Sequence, residues 1–201
     1  MMSWTVKTLV LPLVLLCVWR LQEGAQACFC PPVHPQTLFC HAGFVIKAKV
    51  LAQTAIGDLV RNDIQQIQMF KGPPMAIDAI YTTTDPGACA LSLNQGGEYL
   101  LSGRRAPDGL LHVMSCDYFA PWDSLTATEK LNWVHRYQKG CDCQITPCQT
   151  GPCSIRSAAC LWTDPLPVPT LGEQAKNLVC LKRKDGCAWY GVSPSKGGKK
   201  T

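Results

Sequence analysis

The chain has 201 residues, of which 13 are Cys, 15 Pro and 16 Gly; only 16% are charged and the formal net charge is +5. That many cysteines argue against a cytosolic enzyme, and a 47% hydrophobic content argues against a disordered chain. What is left is a secreted scaffold held by disulfides.

The first 27 residues read as a cleavable signal peptide. Lys7 precedes an apolar core, Leu9–Val18, and Ala25-Gln26-Ala27 has the small-x-small pattern of a signal-peptidase site. The core is too short to span a bilayer, which takes ~20 apolar residues. No other such stretch follows, so no membrane anchor is expected. Cleavage leaves 174 residues with twelve cysteines and a net charge near +4.

The mature chain then opens on Cys28-Phe29-Cys30-Pro31-Pro32. A bridge between Cys28 and Cys30 would be strained, so each is expected to pair with a distant partner. The prolines restrict the segment further. A terminus tied down in this way presents a rigid α-amine and adjacent carbonyl, the two donors of a bidentate metal chelator. On spacing alone, a purely structural half-cystine is the plainer expectation for Cys28.

Period-2 alternation predicts a strand over Phe44–Val50, with Phe44, Ile46, Ala48 and Val50 on one face. Ile64–Phe70, Ile77–Thr83, Tyr99–Ser102 and Leu110–Cys116 follow as further strands. Gly72-Pro73-Pro74, Asp85-Pro86-Gly87, Gly96-Gly97 and Asp108-Gly109 supply the turns. Five short strands suit a small closed or partly closed barrel, because closure removes exposed edges. A helix is predicted from Thr126 to Lys139, opened by the capping-box spacing of Thr126 and Glu129 and buried along Leu131, Val134 and Tyr137.

Five cysteines are spread between Cys28 and Cys116, whereas seven crowd between Cys141 and Cys187. Two units are therefore expected. The first can build an apolar core; the second is short enough to depend on cross-links. The spacing of Cys141, Cys143, Cys148 and Cys153 could hold a metal, but oxidised bridges fit a secreted chain better. No His-Glu-x-x-His or Gly-x-Ser-x-Gly occurs, and His34, His41, His112 and His135 are scattered, so neither a protease nor a resident metal site is expected. Trp122 reads as a core or interface residue, and Trp162 and Trp189 as packing in the second unit. Lys47, Lys49, Lys71, Arg104 and Arg105 could bind sulfated glycans, although a solvated barrel face is the plainer reading. No Asn-x-Ser/Thr sequon is present.

Several motifs carry a resemblance. Cys-x-Cys-x-Pro-x-His-Pro-Gln-x-x-Phe-Cys runs from Cys28 to Cys40. Val45-Ile46-Lys47-Ala48-Lys49, Gln65 to Lys71-Gly72, Cys116 to Pro121-Trp122-Asp123 and His135-Arg136-Tyr137 follow in order. Cys160-Leu161-Trp162-Thr163-Asp164 and Cys187-Ala188-Trp189-Tyr190 complete the series. Over the whole mature chain this resembles the tissue inhibitors of metalloproteinases.

The resemblance implies a mainly β fold with helices. Residues 28–141 would be an inhibitory five-stranded OB-type, netrin-like barrel, residues 142–190 a small disulfide-rich unit and 191–201 a flexible basic tail. It implies the pairs Cys28–Cys89, Cys30–Cys116, Cys40–Cys141, Cys143–Cys187, Cys148–Cys153 and Cys160–Cys180. It implies a secreted monomer, free or in the extracellular matrix, that inhibits zinc metalloproteinases of the matrix. Such a protein has no cofactor of its own and no nucleic-acid or membrane partner. The amine and carbonyl of Cys28 would bind the catalytic Zn²⁺ of the target. Phe29, Cys30, Pro31, Pro32 and His41 would lie at the contact, with Pro86, Gly87, Ala88 and Cys89 as its second strip. One departure stands out: the family usually has a small hydroxyl residue where this chain has Phe29, which predicts selectivity for proteases with deep specificity pockets. The rival reading is a netrin-like module that binds matrix or a receptor without inhibiting a protease.

Overall fold

The computed structural model describes residues 28–148, 151–154, 158–166 and 171–191. The signal-peptide reading and most of the basic tail fall outside them. The fold is mainly β with a few short helices and six disulfides. In chain order the first elements are α1 (Pro35–His41), β1 (Phe44–Ile56), β2 (Leu59–Lys71), β3 (Ala79–Thr83), β4 (Glu98–Arg105), β5 (Leu111–His112) and β6 (Phe119–Pro121). Then come α2 (Ala127–Leu131), β7 (Gln144–Pro147), β8 (Ala159–Trp162), α3 (Glu173–Asn177), β9 (Leu178–Arg183) and β10 (Gly186–Gly191).

The first six strands form one sheet in the order β1-β2-β3-β5-β4-β6, and β1 also pairs with β4. Followed round, the pairings lead from β1 through β2, β3, β5 and β4 back to β1. Most are antiparallel; β3 and β5 meet in parallel at Tyr81 and His112. β1 and β2 form a hairpin much longer than the alternation predicts, turning at Gly57 and Asp58, where Gly57 supplies a φ of 58°. Its base is buried and its tip projects into solvent.

Phe44, Ile46, Ala48 and Val50 of β1 line one core together with Ile64, Ile80, Leu101 and Val113. Val45, on the opposite face, is buried as well. It belongs to a second core with Leu100, Tyr118, Trp133 and Tyr137, joined by Trp162, Leu171, Ala175 and Val179 from the C-terminal half. The outer face of the sheet is thus covered by the helices and by the disulfide-rich part.

The predicted helix over 126–139 is broken. Only α2 is α-helical; Asn132–Arg136 widens into a π turn and Tyr137–Gly140 tightens into a 3₁₀ turn. The capping box is present: Thr126 Oγ1 accepts from the Glu129 amide, and the Glu129 carboxylate accepts from the Thr126 amide. The Asn132 side chain is fully buried, takes the Arg136 guanidinium at 3.1 Å and reaches the Lys176 carbonyl. The Tyr137 amide bonds to the Asn132 carbonyl, which defines the wide turn. The expected apolar stripe is also corrected: Leu131 is exposed, and the buried side chains are Glu129, Asn132, Trp133 and Tyr137.

Three further differences bear on the site. α1 was not expected; Pro35 opens it, and the His34 ring caps it by accepting the Gln36 amide at its Nδ1, 3.1 Å away. The strand expected over Leu110–Cys116 shrinks to β5, because the chain turns at Met114–Asp117. β6 is a sixth strand, pairing with β4 through Phe119–Pro121.

Candidate functional site

Cys28 and Cys30 precede α1, two residues apart, and their sulfurs lie on one side of the chain. Cys28 is bridged to Cys89 and Cys30 to Cys116. The bridges pack side by side: Cys28 Sγ is 3.8 Å from Cys30 Sγ, 3.9 Å from Cys116 Sγ and 3.5 Å from Ser115 Oγ. Phe29, between them, faces outward and is 80% exposed. An apolar ring so exposed on a doubly tethered segment is unusual for a side chain with only a packing role.

The second strip is built as firmly. Asp85 caps a short 3₁₀ turn, Pro86–Ala88, by accepting the Gly87 amide at 2.8 Å. Cys89 follows in the left-handed region at φ 65°, the one non-glycine residue with positive φ among the described residues. Such a conformation costs on the order of 1–3 kcal/mol and persists only where the surroundings over-determine it. Here they do: the Cys89 amide donates to Pro86, its carbonyl accepts from Ser115, and the Leu91 amide donates to Thr82 Oγ1 at 2.9 Å.

The structure therefore brings Cys28, Phe29 and Cys30 together with Pro86, Gly87, Ala88 and Cys89. Pro31, exposed, and Pro32, half-buried, continue the first strip towards α1. His41 stands apart: its Nδ1 bonds to the Thr37 carbonyl at 2.9 Å, and it lines a cleft with Cys40, Cys141, Asp142 and Gln144. Asp85, Thr82 and Ser115, which hold the second strip, were not singled out from sequence. The only signal was Asp85-Pro86-Gly87, read as a turn.

Behind the first strip, α1 is anchored in the C-terminal half. Gln36 Nε2 donates to the carbonyls of Gly140 and Cys180 at 2.9 and 2.8 Å, and its Oε1 accepts the Cys180 amide at 2.9 Å. Gly140 is needed for this approach, since a β-carbon there would collide with the Gln36 amide. His34 is buried against Trp162 and Trp189, each ring 5.3 Å away, and beside Tyr137 at 6.4 Å. Burial holds its imidazole neutral, lowering the pKa to about 3. Cys40–Cys141 adds a covalent tie between the same elements.

The remaining bridges, Cys143–Cys187, Cys148–Cys153 and Cys160–Cys180, lie within the C-terminal half. The basic residues of the sheet are mostly engaged. Lys47 pairs with Glu98 at 2.8 Å and lies over the Trp122 ring; Arg104 pairs with Asp117 at 2.9 Å. Lys71 donates to the carbonyls of Phe39 and Cys40 at the end of α1, and Arg105 to that of Gly109. Trp122 is half-buried and stacked on Phe70, at the margin of the second core. No helix of the described residues is long and apolar enough to cross a membrane.

The family profile described as "Tissue inhibitor of metalloproteinase" matches residues 26–189. Proteins named "Metalloproteinase inhibitor 2" from Cavia porcellus and Homo sapiens are each 44% identical to the chain, covering 97% of it and 96% of their own length. The protein of the same name from Gallus gallus is 42% identical over 86% of both. Members of this family are inhibitors and not enzymes. The bridged strip at Cys28–Cys30, the capped second strip and the match over residues 26–189 lead to one assignment: the chain belongs to the tissue inhibitor of metalloproteinase family.

Proposed function

We propose that this protein is a secreted inhibitor of zinc metalloproteinases of the extracellular matrix, acting as a monomer through its mature N-terminus. The observation that carries the reading is the exposed Phe29 held between two adjacent bridges, beside a second strip locked by Asp85 and Cys89. Two rigid strips joined by Cys28–Cys89 have the form of a wedge that enters a protease cleft as a substrate would. Once the leader is removed, the α-amine and carbonyl of Cys28 would ligate the zinc of the partner, at the position a catalytic site leaves open to water. The wedge is pre-organised, so little freedom is lost on binding. The protein needs no cofactor of its own.

The amine must be unprotonated to bind, so inhibition should weaken as pH falls through an α-amino pKa of ~7.7–8.0 or the lower value that a metal imposes. Phe29 would enter the pocket beside the zinc and favour enzymes in which that pocket is deep. The strand pairings that return to β1 support an OB-type, netrin-like barrel as the frame of an inhibitory unit, residues 28–141. Residues 142–190 then form the disulfide-rich unit that buttresses it.

The test titrates a zinc metalloproteinase with two refolded proteins, one beginning at Cys28 and one carrying a single Ala before it. Stoichiometric inhibition by the first, lost in the second, is the expected result. Equal inhibition by both would exclude ligation through the amine. Phe29→Thr should shift inhibition towards shallow-pocket enzymes; an unchanged selectivity profile would remove Phe29 from the contact.

A further inference from the structure

The net charge of the mature chain sits at one end. Residues 28–141 carry nine basic and nine acidic side chains, whereas residues 176–201 carry seven Lys and Arg against Asp185 alone. Within the described part of this segment the geometry is specific. Tyr190 on β10 is 46% exposed, and the guanidinium groups of Arg183, from β9, and Arg136, from the π turn, each lie over its ring at 5.5 Å. Asn132 Oδ1 fixes Arg136 from behind. Among the described residues, neither guanidinium has a carboxylate within salt-bridge distance, unlike Arg104 or Lys47 on the sheet. Contact with an aromatic ring orients a guanidinium without neutralising it, so Arg183 keeps its planar donor fork for an oxyanion and Arg136 keeps the donors that Asn132 does not take.

We propose that Arg136, Tyr190 and Arg183, with the basic β9–β10 hairpin, form a binding site for a sulfated polysaccharide. Three features favour that partner. Lys182 and Arg183 are consecutive on β9, so cations leave both faces of the hairpin, and Lys184 continues them into the turn, as suits a polymer bearing charge along its length. Lys182 is only loosely paired, 4.0 Å from Asp142. Single-stranded nucleic acids stack bases on exposed aromatic faces, and the exposed ring here already carries guanidinium groups. The residues that hold Arg136, Tyr190 and Arg183 differ from those that hold Cys28–Cys30 and Pro86–Cys89, so a bound glycan would leave the wedge free.

The experiment elutes the mature protein from immobilised heparin with salt. Arg136→Gln combined with Arg183→Gln should lower the elution salt and weaken heparin binding in 0.15 M salt by about tenfold. Lys47→Gln combined with Arg104→Gln removes the same charge elsewhere and should leave retention close to wild type. Near-UV circular dichroism checks the fold, and Arg183→Gln alone, at an exposed position, serves if the double variant does not fold. Equal loss in both pairs, full retention by the Arg136/Arg183 pair, or equal binding to desulfated heparin would overturn the site. Displacement by single-stranded DNA as effective as by heparin would overturn the choice of glycan.

Discussion

Ile46, in the middle of β1, packs among aliphatic and aromatic side chains in a core without a cystine. Cys180, in the middle of β9, is equally buried, yet it is half of a bridge and packs with Cys143, Cys160 and Cys187. The sheet and the segments that join its strands close one core by themselves, while the outer face is covered by the helices and the disulfide-rich part. Among its described residues the C-terminal half has two-stranded sheets and one short helix, and it replaces much of a core with bridges and with apolar surface borrowed from the outer face of the sheet. One part is held mainly by burial, whereas the other is held by covalent closure and docking. The candidate wedge draws on both, because α1 links it to the sheet through Lys71 and to the C-terminal half through His34 and Gln36.

The contrast can be broken from either side. Ile46→Ala opens a cavity in the burial-held part and should cost about 3–4 kcal/mol, lowering the denaturation midpoint of the whole chain. Removing Cys160–Cys180, by Ala at both positions, frees a loop of 20 residues and should cost about 3 kcal/mol on the chain-entropy account. Its loss should be local: the fluorescence of Trp162 and Trp189 changes first, while the β signal in circular dichroism persists. Coincident loss of both signals would show that the halves fold as one unit.

Gln36→Ala tests the docking itself. It strands two carbonyls and one amide between α1 and the C-terminal half, and a loss of about 2–3 kcal/mol is expected. Unfolding should separate into two transitions in chemical denaturation. A single unshifted transition would mean that Cys40–Cys141 and the apolar contacts suffice.

The last effect is one of pH, and taken per pH unit it is the smallest. The folded pKa of His34 is lowered by burial from 6.5 to about 3. Between those values the unfolded chain binds a proton that the folded chain refuses. The contribution of neutral His34 is therefore complete above about pH 6.5, and stability falls by roughly 1.4 kcal/mol for each pH unit below it. His34→Asn keeps an oxygen to cap α1 and removes this titration. Its stability should depend less steeply on pH between 4 and 6, about as measured by that slope; an identical slope would show that His34 is not the group responsible.

Much of the sheet was legible because its signals are local. The alternation of Phe44, Ile46, Ala48 and Val50 reports one buried face, and the turn residues at Asp85-Pro86-Gly87 and Gly96-Gly97 interrupt the strands where the structure does. The capping box of Thr126 and Glu129 marked the start of α2. Alternation could not show that Val45 is buried too, because the core on its face is assembled from residues distant in sequence, Leu100, Tyr118, Trp133 and Tyr137 together with the C-terminal half. Nor could helical periodicity reveal the π turn, which depends on Asn132 reaching Arg136 and the Lys176 carbonyl.

For the candidate site, the sequence by itself determined the residue types: two cysteines around Phe29, a proline-rich approach and an Asp-Pro-Gly turn before Cys89. Their order and the family likeness follow from the chain alone. That the two strips lie side by side was implied by the family likeness and not by any local pattern; only the tertiary structure decided that Cys89 is held left-handed and that α1 begins at Pro35 on a buried histidine. Those outcomes rest on contacts between residues tens of positions apart, such as Cys28 with Cys89 and Gln36 with Cys180. A local pattern carries no information about such partners, because the free energy that selects them arises only when distant segments close on one another.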